Sequence, residues 1–228
     1  MTETDSTPRD PLAFSSGWSL GEDAYQSIAK ELRAQGVRTI VEFGSGTSTL
    51  RLSRDFPDVT IFSIESEARF RDETLADLDT LGGPAEVDLV LRPIEWQRHS
   101  VSWFRSYQPG GFPSEVDSVL IDGPPITTRR GREACLYQVF GSLRPGAKIF
   151  LDDYCRDAEQ QIVRNWLRAY DGSLVQLPTI ERDHRVAVLQ KVGDAAVARA
   201  RVSNTIDSAL QNGRHLLGWA RRAIRPRS

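Results

Sequence analysis

The chain has 228 residues, of which 39% are hydrophobic and 26% charged, and this is enough apolar material for one α/β domain with a sizeable core. The formal net charge is only -2, so the overall charge does not indicate a nucleic-acid partner. Because Cys135 and Cys155 are the only cysteines and no apolar run reaches membrane-spanning length, we expect a cytoplasmic protein with two reduced, structural thiols.

The two ends of the chain differ from its middle in composition. Residues 1–16 are polar and contain proline, which predicts a flexible N-terminal arm. Residues 192–228 contain seven arginines and two aspartates, with apolar residues at spacings of three and four, which predicts a basic amphipathic helix. Such a helix could lie on an anionic membrane surface or dock on a second subunit of a homo-oligomer, and both alternatives stay open. The folded domain is therefore expected over residues 17–191.

Between these ends, helical and strand patterns alternate. A helix is predicted over 22–35, ended by Gly36, and further helices over 48–56, 66–81, 132–143 and 158–170. Short apolar runs predict strands over 37–43, 59–64, 87–91, 116–121, 148–151, 173–177 and 185–190. Residues 92–115 show no clear period, so we expect a long functional loop over one end of the sheet. The Pro145-Gly146 pair is interpreted as a breaker between helix and strand.

This alternation predicts a doubly wound α/β fold. Strands separated by helices form a parallel sheet with helices on both faces, because each crossover is right-handed and needs about a helix's length. The connection over 178–184 is too short for such a crossover. The last strand is therefore expected to run antiparallel.

The stretch VEFGSGTSTL, residues 41–50, contains a glycine turn at the end of the first predicted strand. At this edge of an open α/β sheet, a cofactor can approach the backbone and meet a helix N-terminus. A dinucleotide loop requires a third glycine where this chain has Thr49, which argues against NAD. The polar groups offered by the turn are those of Gly44, Ser45, Gly46, Thr47 and Ser48.

Two glutamates near the turn suit a positively charged cofactor. Glu42 precedes Gly44 by two residues, where it would repel a diphosphate but attract a cation such as the sulfonium and ammonium of S-adenosylmethionine. Glu65 ends the second strand 19 residues after Gly46, the spacing at which an acidic residue accepts hydrogen bonds from ribose hydroxyls. Glu42 and Glu65 are therefore predicted to bind the cofactor together with the turn.

Four stretches, VEFGSGTSTL, IFSIESE, VDSVLIDGPP and LRPGAKIFLDDY, occur in this order and resemble the motifs of class I S-adenosylmethionine-dependent methyltransferases. The D-G-P and D-D-Y turns are similar to those of small-molecule O-methyltransferases of the catechol and macrocin type. The resemblance covers about residues 36–191. It implies a Rossmann-like methyltransferase fold with seven strands in the order 3-2-1-4-5-7-6 and strand 7 antiparallel. It also implies methyl transfer to a hydroxyl of a small acceptor, such as a sugar or glycan precursor, with Asp122 beside the cofactor.

Acidic residues follow the fourth and fifth predicted strands, at Asp122, Asp152 and Asp153. Neighbouring strands lie about 4.8 Å apart, so these carboxylates would repel one another unless they were protonated or bridged by a cation. The family solution is Mg²⁺, which takes oxygen ligands and can lower the pKa of an acceptor hydroxyl. The resemblance therefore predicts Asp122, Asp152 and Asp153 as metal ligands. In the alternative interpretation, Asp153 caps the following helix.

The catalytic base is harder to assign, because macrocin-type enzymes tend to carry D-G-D where this chain has Asp122 followed by Gly123 and Pro124. The candidate bases are Asp122 itself, His99 in the long loop and His184 in the connection before the last strand.

Basic and aromatic side chains surround the same region. Arg129, Arg130 and Arg132 could hold an anionic group of the acceptor or neutralise Asp122 and its neighbours. The aromatic residues of the long loop could stack on the acceptor as a lid or serve as core, and the core interpretation is favoured for two of them. These aromatic residues are Trp96, Tyr107 and the favoured pair Trp103 and Phe104.

Two other classes of protein compete with the methyltransferase. An NAD-dependent oxidoreductase is disfavoured by the missing third glycine and by Glu42. A non-catalytic, membrane-associated scaffold is disfavoured by the presence of Glu42, Glu65, Asp122 and Asp152. Methylation of nucleic acid is disfavoured because the part before the tail is acidic.

Overall fold

The structure is a computed structural model, and it describes residues 10–14, 20–82, 85–99, 102–182 and 184–193. Most of the predicted arm over 1–16 and nearly all of the predicted tail over 192–228 lie outside the described residues. Where the arm is described, the ring of Phe14 lies 5.5 Å from that of Tyr25 in the first helix.

The described residues form five α-helices and nine strands. The helices are α1 (Glu22–Gln35), α2 (Thr47–Asp55), α3 (Ala68–Leu81), α4 (Gly131–Val139) and α5 (Asp157–Ala169). The strands are β1 (Thr39–Phe43), β2 (Thr60–Glu65), β3 (Glu86–Leu91), β4 (Ile94–His99), β5 (Ser102–Tyr107), β6 (Val116–Ile121), β7 (Leu143–Leu151), β8 (Leu174–Gln176) and β9 (Ala187–Lys191). The predicted end of α1 is confirmed, since Gly36 adopts the left-handed conformation that favours glycine.

Seven of these strands form one sheet in the order β3-β2-β1-β6-β7-β9-β8. Strand β9 runs antiparallel to both of its neighbours, whereas β3, β2, β1, β6 and β7 are mutually parallel. When β4 and β5 are set aside, this is the predicted order 3-2-1-4-5-7-6 with a reversed last strand. The prediction from the short 178–184 connection is therefore confirmed.

The predicted long loop over 92–115 is wrong, because this segment contains a two-stranded antiparallel sheet of β4 and β5. The inward side chains of β5 are Ser102, Phe104 and Ser106, whereas Trp103 faces outward with 51% exposure. Since polar serines point inward and a tryptophan points outward, the alternation of a strand is hidden in the sequence. The hairpin packs on α4, where Ser106 Oγ donates to the carbonyl of Gly131 over 2.7 Å.

The predicted breaker at Pro145-Gly146 is also corrected. Both residues lie inside β7, which begins at Leu143. The register between β6 and β7 shifts between Val116 and Ser118, and such an irregularity accommodates proline and a glycine with φ of 88°.

Two apolar clusters cover the faces of the sheet. One contains side chains from α4 and α5, including Leu136 and Trp166, and the other contains side chains from α1, including Ile28 and Leu32. This placement leaves the carboxyl edge of the parallel strands open between the helices, where their turns meet. No described helix combines the length and apolar composition needed to cross a membrane.

Candidate active site

The ends of β1, β2, β6 and β7 surround a cavity of about 590 Å³. This volume lies within the range of ligand-binding pockets, roughly 300–1,000 Å³. The predicted site residues that line the cavity are Gly44, Ser45, Gly46, Thr47, Ser48, Glu65, Asp122, Asp152, Asp153 and His184. The structure does not bring Glu42 or His99 to the cavity wall.

The glycine turn is held against the turn that follows β6. Gly44 has φ of 99°, and a Cβ added there would lie 2.9 Å from the backbone nitrogen of Gly123. The amide of Gly123 in turn donates to the carbonyl of Phe43 over 2.6 Å. Only glycine fits this approach of two backbones, and it brings Asp122 to the same cavity as the turn.

Glu42 has a different place from the one predicted. Its carboxylate is fully buried under the turn and accepts hydrogen bonds from Ser48 Oγ at 2.6 Å, Thr49 Oγ1 at 2.5 Å and Ser63 Oγ at 2.7 Å. Burial raises the pKa of Glu42 to about 7, although the three hydroxyls lower it. Glu42 therefore fixes the first turn of α2 through its hydrogen bonds to Ser48 and Thr49, and it does not line the cavity.

Glu65 lies at the cavity and organises the backbone around it. Its Oε2 accepts from the amide and the hydroxyl of Ser45, at 3.3 and 3.2 Å. Its Oε1 accepts from the amides of Ser66 at 2.6 Å and Glu67 at 3.1 Å. The carboxylate is thus fixed at the end of β2 and lies on the cavity wall.

The aspartates after β6 and β7 lie together, as predicted. Burial raises the pKa of Asp152, and the neighbouring carboxylate of Asp122 raises it further. Asp153 adopts φ of 60°, and Arg156 is the N-cap of α5 without a side-chain capping bond. The alternative interpretation of Asp153 as the cap of α5 is therefore wrong, and all three aspartates line the cavity.

Arg132 of α4 lies in the middle of this acidic group. Its Nη1 donates to Asp153 Oδ2 over 2.9 Å, and its Nη2 lies 3.4 Å from Asp122 Oδ1. Glu159 Oε1 is 3.9 Å from Nη1. The surrounding carboxylates raise the pKa of Arg132 despite its burial, so the guanidinium stays charged. Of the two alternatives for this residue, the structure supports neutralisation of the aspartates.

Arg130 serves a different purpose from Arg132. It forms a buried ion pair with Glu133 one turn along α4, with Nε 2.6 Å from Oε2. Tyr137 and Asn165 also donate to the Glu133 carboxylate, at 2.8 and 3.0 Å. This network ties α4 to α5 and lies away from the cavity lining.

The two candidate histidines are separated. His184 lines the cavity with its side chain 46% exposed, and its Nδ1 is 3.6 Å from Asp153 Oδ1. His99 ends β4, where its ring packs against Phe104 and Tyr137 and its Nε2 lies 2.6 Å from Gln97 Oε1. Burial lowers the pKa of His99. His99 is therefore a packing residue of the hairpin, held between Phe104 and Tyr137.

The aromatic residues of the hairpin divide between the two interpretations, lid and core. Phe104 is buried against α4, as the core interpretation favoured, but Trp103 is half exposed, so the core interpretation is wrong for it. Trp96 is also half exposed and is not among the cavity residues. Tyr107 is the aromatic residue of this set that reaches the cavity, where it is buried.

Several cavity residues were not predicted from the sequence. Glu67, Phe70, Glu73, Thr74 and Asp77 line the cavity from the start and one face of α3. Their spacing of three and four residues is the signal that could have found them. Arg156 also lines the cavity, where its Nη1 pairs with Asp153 Oδ2 over 2.7 Å, and its position three residues after Asp153 is the signal in the sequence.

The donor set fits Mg²⁺ poorly. Asp153 Oδ2 already receives both Arg132 and Arg156, and Asp122 Oδ1 faces Arg132. Among the described residues, the ligand atoms that come within 4.8 Å of one another belong to Asp152, Asp153 and His184. A histidine nitrogen and a carboxylate that already pairs with two guanidinium groups do not form the oxygen-rich environment that Mg²⁺ prefers.

The order of the sheet and its single reversed strand match a Rossmann-like methyltransferase fold. The O-methyltransferase TomG from Streptomyces achromogenes, solved with S-adenosylmethionine, is similar with a TM-score of 0.57 at 16% identity, covering 78% of this chain and 83% of that one.

Two further solved structures share the fold. The O-methyltransferase from Bacillus cereus in complex with S-adenosylhomocysteine has a TM-score of 0.56 at 15% identity, with 77% of this chain and 84% of that one covered. The S-adenosylmethionine-dependent O-methyltransferase from Thermotoga maritima has a TM-score of 0.54 at 14% identity, with 81% of this chain and 69% of that one covered. No protein-family model and no curated protein sequence matches the chain.

Proposed function

We propose that the protein transfers a methyl group from S-adenosylmethionine to a hydroxyl of a small molecule. The observation that carries this proposal is the convergence of the Gly44–Thr47 turn, Glu65, Asp122 and His184 on one cavity. Solved O-methyltransferases of the same fold contain S-adenosylmethionine or S-adenosylhomocysteine.

The cofactor is assigned to the part of the cavity between β1 and β2. Glu65 would accept hydrogen bonds from the ribose hydroxyls, and the polar groups of Ser45, Thr47 and Ser48 would receive the carboxylate of the methionine end. The acidic side chains after β6 and β7 lie beside this part of the cavity, where Arg132 and Arg156 balance part of their charge.

His184 is proposed as the catalytic base. The carboxylate of Asp153 beside Nδ1 favours a proton on that nitrogen, which leaves Nε2 to accept the proton of the acceptor hydroxyl. As the oxygen bonds to the methyl carbon, the carbon-sulfur bond breaks and S-adenosylhomocysteine is the leaving group. Holding the two reactants in line supplies much of the rate acceleration.

Calorimetry with S-adenosylhomocysteine tests the cofactor assignment. We expect micromolar binding by the full chain and no binding of NAD⁺. Glu65→Gln should weaken binding by about 10-fold to 100-fold, because hydrogen bonds to a charged group are worth about 1.5–3 kcal/mol. The neighbouring Glu67→Gln is the matched control with a smaller effect. Absence of binding at millimolar S-adenosylhomocysteine by folded protein would overturn the proposal.

The arginine-rich tail keeps its two sequence-based interpretations, contact with an anionic membrane surface or with a second subunit. Flotation of the full chain with anionic and with neutral vesicles tests the first. Sedimentation at increasing concentration tests the second. Selective flotation with anionic vesicles supports the membrane interpretation.

A further inference from the structure

Arg132 occupies the position, between the turns after β6 and β7, where the resemblance places a metal ion. Its guanidinium contacts Asp122 and Asp153, two of the three predicted ligands, and Glu159 from α5 lies on the same side. One fixed charge on the protein thus faces carboxylates from three separate elements.

The guanidinium is held in this position by further contacts. Its Nε donates to the carbonyl of Pro124 and its Nη1 to the carbonyl of Asp152, each over 3.3 Å. The side chain is only 6% exposed. Withdrawal of the arginine would leave buried carbonyls and carboxylates without their donor, which is costly in a protein interior.

The backbone beneath Arg132 is also fixed. A Cβ added to the preceding Gly131 would lie 2.3 Å from Thr128 Oγ1 and 2.6 Å from both the Arg105 carbonyl and Pro124 Cγ. The first turn of α4 is therefore pressed between the hairpin and the turn after β6. This contact sets the direction in which the next side chain leaves the helix.

We propose that Arg132 replaces the divalent cation in this site, so that the protein holds its acidic cluster together without Mg²⁺. Arg132 is a positioning residue in this proposal: it neutralises Asp122 and Asp153 and keeps both at the cavity. A second cation at the same oxygens would be repelled by the guanidinium charge. The role in catalysis rests on the proposed methyl transfer, whereas the exclusion of the metal does not.

Metal titrations of the full chain test the proposal directly. Calorimetry with MgCl₂ and with MnCl₂ should detect no submillimolar binding by the wild-type protein. Arg132→Gln removes the charge and should increase the affinity for Mn²⁺ at least tenfold, whereas Arg132→Lys retains a cation and should not. Arg144→Gln is the matched control, because Arg144 pairs with Asp117 at the opposite end of the sheet.

Stoichiometric, submillimolar binding of Mg²⁺ by the wild-type protein would overturn the proposal, and this titration needs no variant to fold. A folded Arg132→Gln protein without increased Mn²⁺ affinity would also overturn it. S-adenosylhomocysteine is titrated into the same samples. If the wild-type protein binds both S-adenosylhomocysteine and Mg²⁺, the replacement of the metal by Arg132 is contradicted and the proposed function is not. If it binds neither, the proposed function is contradicted and the replacement of the metal is not.

Discussion

Thr49 joins Glu42 to the glycine turn. Its hydroxyl donates to Glu42 Oε2 over 2.5 Å and accepts from the amide of Gly46 over 3.0 Å. The residue that replaces the third glycine of a dinucleotide loop is therefore a structural link between a buried carboxyl group and the backbone of the turn. The missing glycine and the extra glutamate, which are separate features in the sequence, belong to one hydrogen-bonded unit.

This unit predicts a pH-dependent stability. Because the pKa of Glu42 rises from 4.5 to about 7 on folding, the folded state retains its proton where the unfolded state has lost it. The contribution of Glu42 is therefore fully present below pH 4.5 and is lost as the pH rises to about 7. The loss amounts to about 3 kcal/mol.

Glu42→Gln should remove this dependence, since a glutamine can accept from Thr49 and Ser63 at its oxygen and does not titrate. Urea unfolding of the wild-type and Glu42→Gln proteins between pH 4.5 and 7.5 measures the free energy of unfolding of each. The stability of the wild-type protein relative to Glu42→Gln should fall with rising pH. Glu95→Gln, on the exposed part of β4, is the control, and the difference in free energy of unfolding between this variant and the wild-type protein should stay constant over the same pH range. A constant difference for Glu42→Gln as well would contradict the prediction.

The strand order was an implication of the resemblance to class I methyltransferases, whereas the parallel sheet and its reversed last strand were predicted from features that a single chain displays. Apolar runs marked the strands, helical spacings marked the crossovers, and the length of the 178–184 connection required the reversal of β9. The hairpin of β4 and β5 was missed because its inward face carries Ser102 and Ser106 while its outward face carries tryptophans. Its pattern reflects packing against α4, which only the folded chain shows.

The site residues that could be predicted from the sequence are those that lie at the ends of strands. Glu65, Asp122 and Asp152 follow strands, and the edge of a parallel sheet brings such residues together. Arg132 belongs to a helix. Whether its guanidinium pairs with an anion of the acceptor or with the aspartates therefore depends on the direction of α4, which the sequence does not display. Glu42 was placed at the cofactor because of its charge, but its position inside β1 directs it beneath the turn, where three hydroxyls surround it.

The buried network of Glu133 predicts a large loss of stability. Glu133→Ala leaves Arg130, Tyr137 and Asn165 without their shared acceptor, and removing one partner of a buried ion pair costs about 3–5 kcal/mol. Urea unfolding measures the loss. Glu181→Ala removes the exposed pair with Arg185 and should leave the midpoint unchanged. Equal effects of the two substitutions would show that the network adds nothing.

The contact between Gly44 and Gly123 predicts a backbone-specific effect. Gly44→Ala places a methyl group at φ of 99° and 2.9 Å from the Gly123 nitrogen, so we expect a loss of about 2–5 kcal/mol from strain and overlap. Gly172→Ala is the control, because Gly172 also has positive φ but open space around it. It should cost about 1–2 kcal/mol. Thermal unfolding compares the two, and a cost for Gly44→Ala no greater than that for Gly172→Ala would refute the close approach.

The separation of the two histidines predicts opposite phenotypes. His184 lines the cavity with its side chain 46% exposed, so His184→Gln should leave stability and S-adenosylhomocysteine binding unchanged while lowering kcat by about 10²-fold to 10⁴-fold, the usual contribution of a general base. His99 packs between Phe104 and Tyr137, so His99→Gln should lower the thermal midpoint and leave kcat within a few-fold of wild type. The measurement is release of S-adenosylhomocysteine with any phenol, catechol or sugar that a screen shows to be methylated. Full activity of His184→Gln over the whole pH range would transfer the role of base to an aspartate of the same cavity.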